Sequence, residues 1–233
     1  MIPMKIAASW SGGKESCYAC YKALASGFNV DYLLNFISED DGRIMSHGLR
    51  AEVVSAQSQA IGIPIIQHKT TWDKYEEGFK AAIDGLKRMG VEGVVFGDID
   101  IQEHRDWVER VCRECGIEPF EPLWGVGREQ ILANLIHDGF EAVLVNAKAD
   151  IFGEEWLGRK IDDGFLRDLK ELQAKCKFDL CGESGEYHTF VVDGPIFKKR
   201  LRVLDSSKLL REGYWKHWIL DISGCELVEK SVP

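Results

Sequence analysis

Ser9-Trp10-Ser11-Gly12-Gly13-Lys14-Glu15-Ser16 gathers the residue types that hold an anion. Adjacent glycines let backbone N–H groups approach a phosphate closely, serine hydroxyls add donors, and a lysine adds charge. A helix starting at this point would add its unpaired amides and the positive end of its dipole. The segment is not a Walker loop, which needs Gly, four residues and then Gly-Lys-Ser/Thr. Ala8 stands where the first glycine belongs, and Glu15 follows Lys14. It also lacks the spaced glycines of a dinucleotide turn. Strand–helix turns often carry glycine for geometry alone, but the flanking serines and the lysine favour phosphate binding.

A second cluster is acidic. Glu183 and Glu186 lie in a segment broken by Gly182 and Gly185, which reads as a turn entering a strand. Taken alone, such a turn is a solvated acidic surface; taken as a site, paired carboxylates attract ammonium or accept its proton. Asp98 follows an apolar strand, where it could hold magnesium or a ribose hydroxyl, or cap the next helix. His47, in Ser46-His47-Gly48-Leu49-Arg50, could face a nucleotide or merely open the next helix. Arg159 could pair with a phosphate or carboxylate, or lie on the surface. Two Cys-x-x-Cys pairs, Cys17/Cys20 and Cys112/Cys115, fall on apolar helical stripes, where burial is a simpler account than zinc binding. Cys17, early in its helix, could still be a lowered-pKa thiol. The histidines show no metal spacing, so no protein metal ligands are assigned.

These residues need a scaffold, and the hydrophobic pattern supplies one. Ile6–Trp10, Leu33–Ile37, Ile63–Ile66, Val94–Phe96 and Ala142–Val145 are short, nearly continuous apolar runs, as in strands covered on both faces. Amphipathic stretches around Phe79, Ala82, Ile83 and Leu86, and around Ile131, Leu132, Leu135 and Ile136, lie between or beside them. Strand and helix in alternation predict an α/β fold with a Rossmann-like parallel sheet and helices on both faces. The loop at Ser9 then sits at the carboxyl edge of that sheet, where ligands bind. After Glu121-Pro122-Leu123-Trp124-Gly125 the pattern loosens. Thr189–Val192 and Trp218–Ile222 suggest a smaller, mixed α+β domain with antiparallel strands. The expected division is 1–125, binding the nucleotide, and 126–233, binding the substrate.

The 233 residues carry 29 Lys+Arg against 38 Asp+Glu, a net charge of −9. That balance argues against a broad nucleic-acid grip. No apolar run nears the ~18 residues of a membrane span, no secretory signal is evident, and seven cysteines suggest a reducing cytoplasm. Nothing in this composition opposes a homo-oligomer.

Ser11-Gly12-Gly13-Lys14-Glu15-Ser16 resembles the pyrophosphate loop (SGGxDS) of ATP pyrophosphatases, with Glu15 in place of the usual aspartate. Cys181-Gly182-Glu183-Ser184-Gly185-Glu186-Tyr187-His188-Thr189, together with Pro122-Leu123-Trp124 and Trp156-Leu157-Gly158-Arg159, resembles the diphthine–ammonia ligase family. The resemblance implies an adenine-nucleotide-alpha-hydrolase-like amino domain that uses ATP and Mg2+. It further implies an AMP- and pyrophosphate-forming ligase that adenylates a carboxylate and amidates it with ammonia. In that family the acyl group is diphthine on elongation factor 2. Ser9, Ser11, Gly12, Gly13, Lys14, Ser16, His47 and Asp98 would then bind ATP, and Lys14, Glu183 and Glu186 would serve catalysis. Trp124, Arg159, Tyr187 and His188 would bind the acyl substrate, with Trp124 or Tyr187 suiting a trimethylammonium group. Lys14→Ala is expected to fold normally and lose AMP formation. Where the diphthamide branch reads Glu-Gly-Gly-Glu-Tyr-Glu-Thr, this chain has Ser184 and His188, and Gly97-Asp98 replaces Gly-Ala. Those departures keep open another carboxylate, such as a cobalamin-related one. A tRNA-modifying enzyme with the same loop is a further alternative, disfavoured by the acidic charge and the helical cysteines.

Overall fold

The computed structural model describes residues 4–212 and 216–230. Strands β1 (Lys5–Ser9), β2 (Asn29–Ser38), β3 (Ile65–Thr70), β4 (Gly93–Val95) and β5 (Glu118–Phe120) form a parallel sheet in the order β3-β2-β1-β4-β5. Helices α1 (Lys14–Ala25), α2 (Ala51–Ile61), α3 (Tyr75–Arg88) and α4 (Gln102–Cys115) make the crossovers. The pleat of β1 explains why its sequence is apolar throughout. Ile6 and Ala8 face one core with Cys17, Val53 and Val54, whereas Ala7 faces the other with Phe79, Ile83 and Val111. Helices α1 and α2 therefore cover one face and α3 and α4 the other. Phe79 is fully buried, so its truncation to alanine would cost about 3–5 kcal/mol.

The strand order reverses at β1, which is paired to β2 on one side and β4 on the other. A crevice opens at such a reversal, outside the carboxyl ends of the strands. The loop after β1 occupies that position.

The second sheet contains β6 (Glu141–Lys148), β7 (Tyr187–Asp193), β8 (Lys199–Glu212) and β9 (Lys216–Glu229), in the order β7-β6-β9-β8 and wholly antiparallel. Helices α5 (Arg128–His137) and α6 (Asp163–Gln173) pack beside it; the Asp162 side chain caps α6 by accepting from the Phe165 N–H at 2.8 Å. Ala142–Val145, expected among the buried parallel strands, belongs to this sheet instead. Apolar continuity reports burial on both faces, and an antiparallel strand between two layers shows it equally. Strand β5 escaped the sequence reading because Glu118-Pro119-Phe120 is only three residues long, with a proline tolerated at the sheet edge. One apolar core runs from Ile6 and Val54 to Phe190 and Val191, so the two sheets are packed together. Among the described residues, no helix is long and apolar enough to cross a membrane.

Candidate functional site

The loop between β1 and α1 is fixed by contacts that cross to the second sheet. Gly12 has φ +82°, a left-handed conformation natural to glycine, and a Cβ there would lie 2.9 Å from Gln57 Oε1. A Cβ on Gly13 would collide with His47 Cε1. The glycines thus permit close packing beneath the loop as well as its turn. Gly12 O accepts from Val191 N–H of β7 at 3.0 Å, and Lys14 N–H donates to Thr189 Oγ1 at 3.1 Å. Ser11 Oγ lies 3.1 Å from Ser16 Oγ, which donates to Gly13 O.

Gln57 is the hidden support. It is fully buried, its Nε2 donates to Gly12 O (3.0 Å) and Val191 O (2.6 Å), and its Oε1 accepts from Trp10 Nε1 (2.8 Å). The sequence carried a signal for it: a polar residue on the apolar stripe Val53-Val54-Ala60-Ile61 of α2 needs partners.

Around the loop lies a cavity of about 250 Å³. From the first half of the chain it is lined by Ser9, Ser11, Lys14, Ser16, His47 and Asp98, all expected at the site, and by Glu15, Ser46 and His104. From the second half come Cys181, Glu183, Tyr187 and His188. Lys14 is buried. Its Nζ pairs with Glu15 Oε1 (2.6 Å), donates to Cys181 O (2.7 Å) and lies 4.5 Å from the centre of the Tyr187 ring. Burial opposes the charge, but Glu15 foremost, then Tyr187 and Cys181, outweigh it and raise the ammonium pKa well above the ordinary lysine range. Lys14 is accordingly a charged strut between the halves, and alanine there would leave Glu15 without its partner.

Three carboxylates face the same space. Burial, reinforced by Glu15 and only partly offset by Lys14, pushes the Glu183 carboxyl up to about 8. Its backbone N–H is held by Asp179 Oδ2 at 2.9 Å. Asp98 does not cap α4, whose N-cap is Ile101; instead its Oδ1 lies 3.2 Å from His104 Nδ1. His47 also does not open α2, whose N-cap is Arg50. Its Nδ1 is 3.0 Å from Thr189 O and its ring stacks on His188 at 4.6 Å. Burial and then Lys14 lower its pKa to about 4, and burial lowers that of His188 well below the ordinary value, so both rings are neutral at pH 7.

Three expected residues stand away from the cavity. Glu186 is buried behind the turn, with Oε1 accepting from Asp179 N–H at 3.1 Å. Arg105 covers the Trp124 ring at 4.6 Å. Arg159 pairs with Asp168 at 2.6 Å and lies over Trp156 at 4.5 Å. The faces of both Trp124 and Tyr187 thus already carry a cation of this chain. Cys17, Cys20 and Cys112 are buried, and burial raises the Cys17 thiol, aided by Cys20; a lowered-pKa nucleophile there is excluded.

A second cavity of about 500 Å³ shares Ser9, Ser46, Asp98 and His104 with the first. Its walls are Trp72, Tyr75, Phe79, Phe96 and Trp107, an aromatic chamber that the sequence reading did not identify. Together the two reach the size of a ligand site for a drug-sized molecule. A flat ring in the aromatic part and anionic groups at the loop would suit them. Among the described residues no three His, Cys, Asp or Glu side chains gather closely enough to hold a metal. Glu15, Asp98 and Glu183 nevertheless suit magnesium, which takes one or two carboxylates, water and substrate phosphate oxygens.

Residues 4–119 match the diphthamide synthase N-terminal domain, and residues 127–230 match the diphthamide synthase C-terminal domain. A diphthine–ammonia ligase of Rattus norvegicus is 28% identical over 99% of this chain and 96% of its own length. Proteins of the same name from Bos taurus and Homo sapiens are each 27% identical, over 89% of this chain and 85% of theirs. A solved structure described as a predicted subunit of tRNA methyltransferase from Methanocaldococcus jannaschii aligns at 15% identity and a TM-score of 0.47, covering 82% of this chain and 98% of that one.

Proposed function

The chain belongs to the diphthamide synthase family, and from that premise we propose that it is an ATP-dependent carbon–nitrogen ligase. It adenylates a carboxylate, releases pyrophosphate, and amidates the acyl-adenylate with ammonia. The acyl substrate is diphthine, the word that the relatives' names carry, and its bearer is elongation factor 2, as the family resemblance of residues 181–189 implies. Residues 1–125 supply the loop and the aromatic chamber of the nucleotide site, and residues 126–233 close the phosphate cavity through Cys181, Glu183, Tyr187 and His188.

The observation that carries this reading is the loop: Ser11, Lys14 and Ser16 border a cavity at the carboxyl edge of a parallel sheet, joined through Ser9, Ser46 and Asp98 to an aromatic chamber. The adenine stacks in the chamber, the β and γ phosphates lie at the loop, and the α phosphate spans the shared residues. In the first turn of α1 the Lys14 N–H is given to Thr189 Oγ1, whereas the Glu15 and Ser16 amides lack intrahelical acceptors and can receive the departing pyrophosphate. Glu15, Asp98 or Glu183 would hold magnesium, which would neutralise phosphate charge beside these carboxylates. A substrate carboxylate oxygen bonds to the α-phosphorus as the bond to pyrophosphate breaks. Ammonia then bonds to the acyl carbon, and AMP leaves. Glu183, with its pKa near 8, is matched to accept the proton the nitrogen sheds.

The test is release of AMP and pyrophosphate from ATP with ammonium, with and without diphthine-bearing elongation factor 2. Release that requires both supports the proposal. Release only with tRNA would replace it by RNA modification, and ATP binding without release would replace it by nucleotide sensing. Fractionation of cells tests the expected cytoplasmic location, and light scattering shows whether the chain forms a homo-oligomer.

A further inference from the structure

A third cavity, of about 390 Å³, lies between the β2–α2 connection and the strands β8 and β9. It shares Ser46 and His188 with the phosphate cavity, and Ser46 and Trp72 with the aromatic chamber. All three spaces therefore meet at Ser46. If the nucleotide lies as proposed, its α-phosphorus is at that junction, with the base to one side and the pyrophosphate to another. The third space is the approach that remains.

We propose that this third cavity is the port of the acyl substrate, through which a carboxylate-tipped side chain of a partner protein reaches the α-phosphorus. This rests on the ligase reading above. The inner wall suits a carboxylate in transit. His188 and His217 line it as neutral rings, and His217 Nδ1 lies 2.9 Å from Asn146 Oδ1. Arg43, also in the wall, is already engaged by Gly48 O (2.8 Å) and Asp221 (2.9 Å). The inner wall thus offers hydrogen-bonding groups without an uncompensated cation that would trap the anion. At the mouth, Arg211 and Asp41 are about half exposed and 3.5 Å apart, a loose pair beside exposed Glu212. Leu209 and Leu210 are exposed next to them on β8, at 39% and 43%. Exposed leucines beside a polar mouth suit the body of a protein that inserts one slender arm, and a free small acid would not need them.

The test blocks the mouth without touching the nucleotide. Asp41→Trp and Glu212→Trp, from opposite walls, are compared with a substitution of the exposed Glu118, Glu118→Trp, on the edge strand β5 at the far end of the first sheet. The probe is elongation factor 2 bearing diphthine, with thermal melts confirming the fold of each variant. The port predicts at least a tenfold rise in KM for that protein in either mouth variant. The kcat at saturation and the calorimetric Kd for Mg-ATP should stay within twofold, and Glu118→Trp should match the wild type. If one mouth variant fails to fold, the other decides. An unchanged KM in the folded mouth variants, against an active wild type, overturns the port alone. A wild type that binds ATP yet releases no AMP with this protein refutes the ligase reading, and the port with it.

Discussion

Replacing Gln57 tests whether the loop geometry depends on a buried side chain that touches no ligand. In Gln57→Leu, Trp10 Nε1–H loses its acceptor and Val191 O loses its 2.6 Å donor, while Gly12 O keeps the Val191 N–H. Each buried polar group left short of a partner costs about 1–3 kcal/mol, so the variant should lose roughly 3 kcal/mol. For a chain of this size that lowers Tm by about 6–12 °C. Activity should fall further than stability explains, because a 1 Å misplacement at a reacting centre costs about 100-fold. Gln57→Glu sharpens the test. The carboxylate still accepts from Trp10 but faces Gly12 O and Val191 O with no N–H to give. Burial raises the pKa of such a group, so it folds as the acid and is increasingly destabilised as pH rises, whereas Gln57→Leu shows no such trend. Calorimetric melts at pH 5 and 8, with Mg-ATP titrations, read both effects. A Tm within 2 °C of wild type and an unchanged Kd in Gln57→Leu would refute the reasoning.

Lys14→Met should cut AMP formation by about a hundredfold, on the order of 3 kcal/mol in transition-state stabilisation, and should also lower Tm in thermal melts because Glu15 is left unpaired. Glu183→Gln should remove the alkaline-side rise in kcat that ionisation near pH 8 produces in the wild type, as read from pH–rate profiles. Because the folded pKa of Glu183 lies above the ordinary 4.5, its contribution to stability is full below about 4.5 and lost as pH rises through about 8; the Gln variant should lack that decline in urea titrations. Asp221 behaves oppositely: bonds from Arg50 and Arg43 hold its carboxyl far below the ordinary 3.8, so its contribution is present above 3.8 and lost as pH falls further. Asp221→Asn should melt lower at pH 7, by roughly 2–3 kcal/mol of stability for hydrogen bonds to a charged group, with a flatter acid limb. Removing magnesium with EDTA should weaken ATP binding at least tenfold in calorimetry, since three carboxylates border the phosphate cavity.

Local patterning carried the fold of the first sheet and the expectation of a phosphate loop after β1. Pleat alternation in Ile6-Ala7-Ala8 requires cover on both faces, and the Gly12-Gly13 turn flanked by serines and Lys14 needs only neighbours in sequence to be read as a phosphate loop. The family words at 181–189 were legible in the same way. What the sequence could not decide was which distant groups would meet. Trp124, Arg159 and Glu186 have side chains suited to a site, yet Arg105, Asp168 and Asp179 already engage them, from 7 to 19 residues away. Gln57 and the aromatic chamber became functional candidates only when α2, α3 and α4 were packed against the sheet. The pairing of Lys14 with Cys181, 167 residues apart, likewise belongs to the fold. Hydrophobic period and turn chemistry act over a few residues, whereas electrostatic partners and cavity walls are set by chain reversals that bring remote segments together.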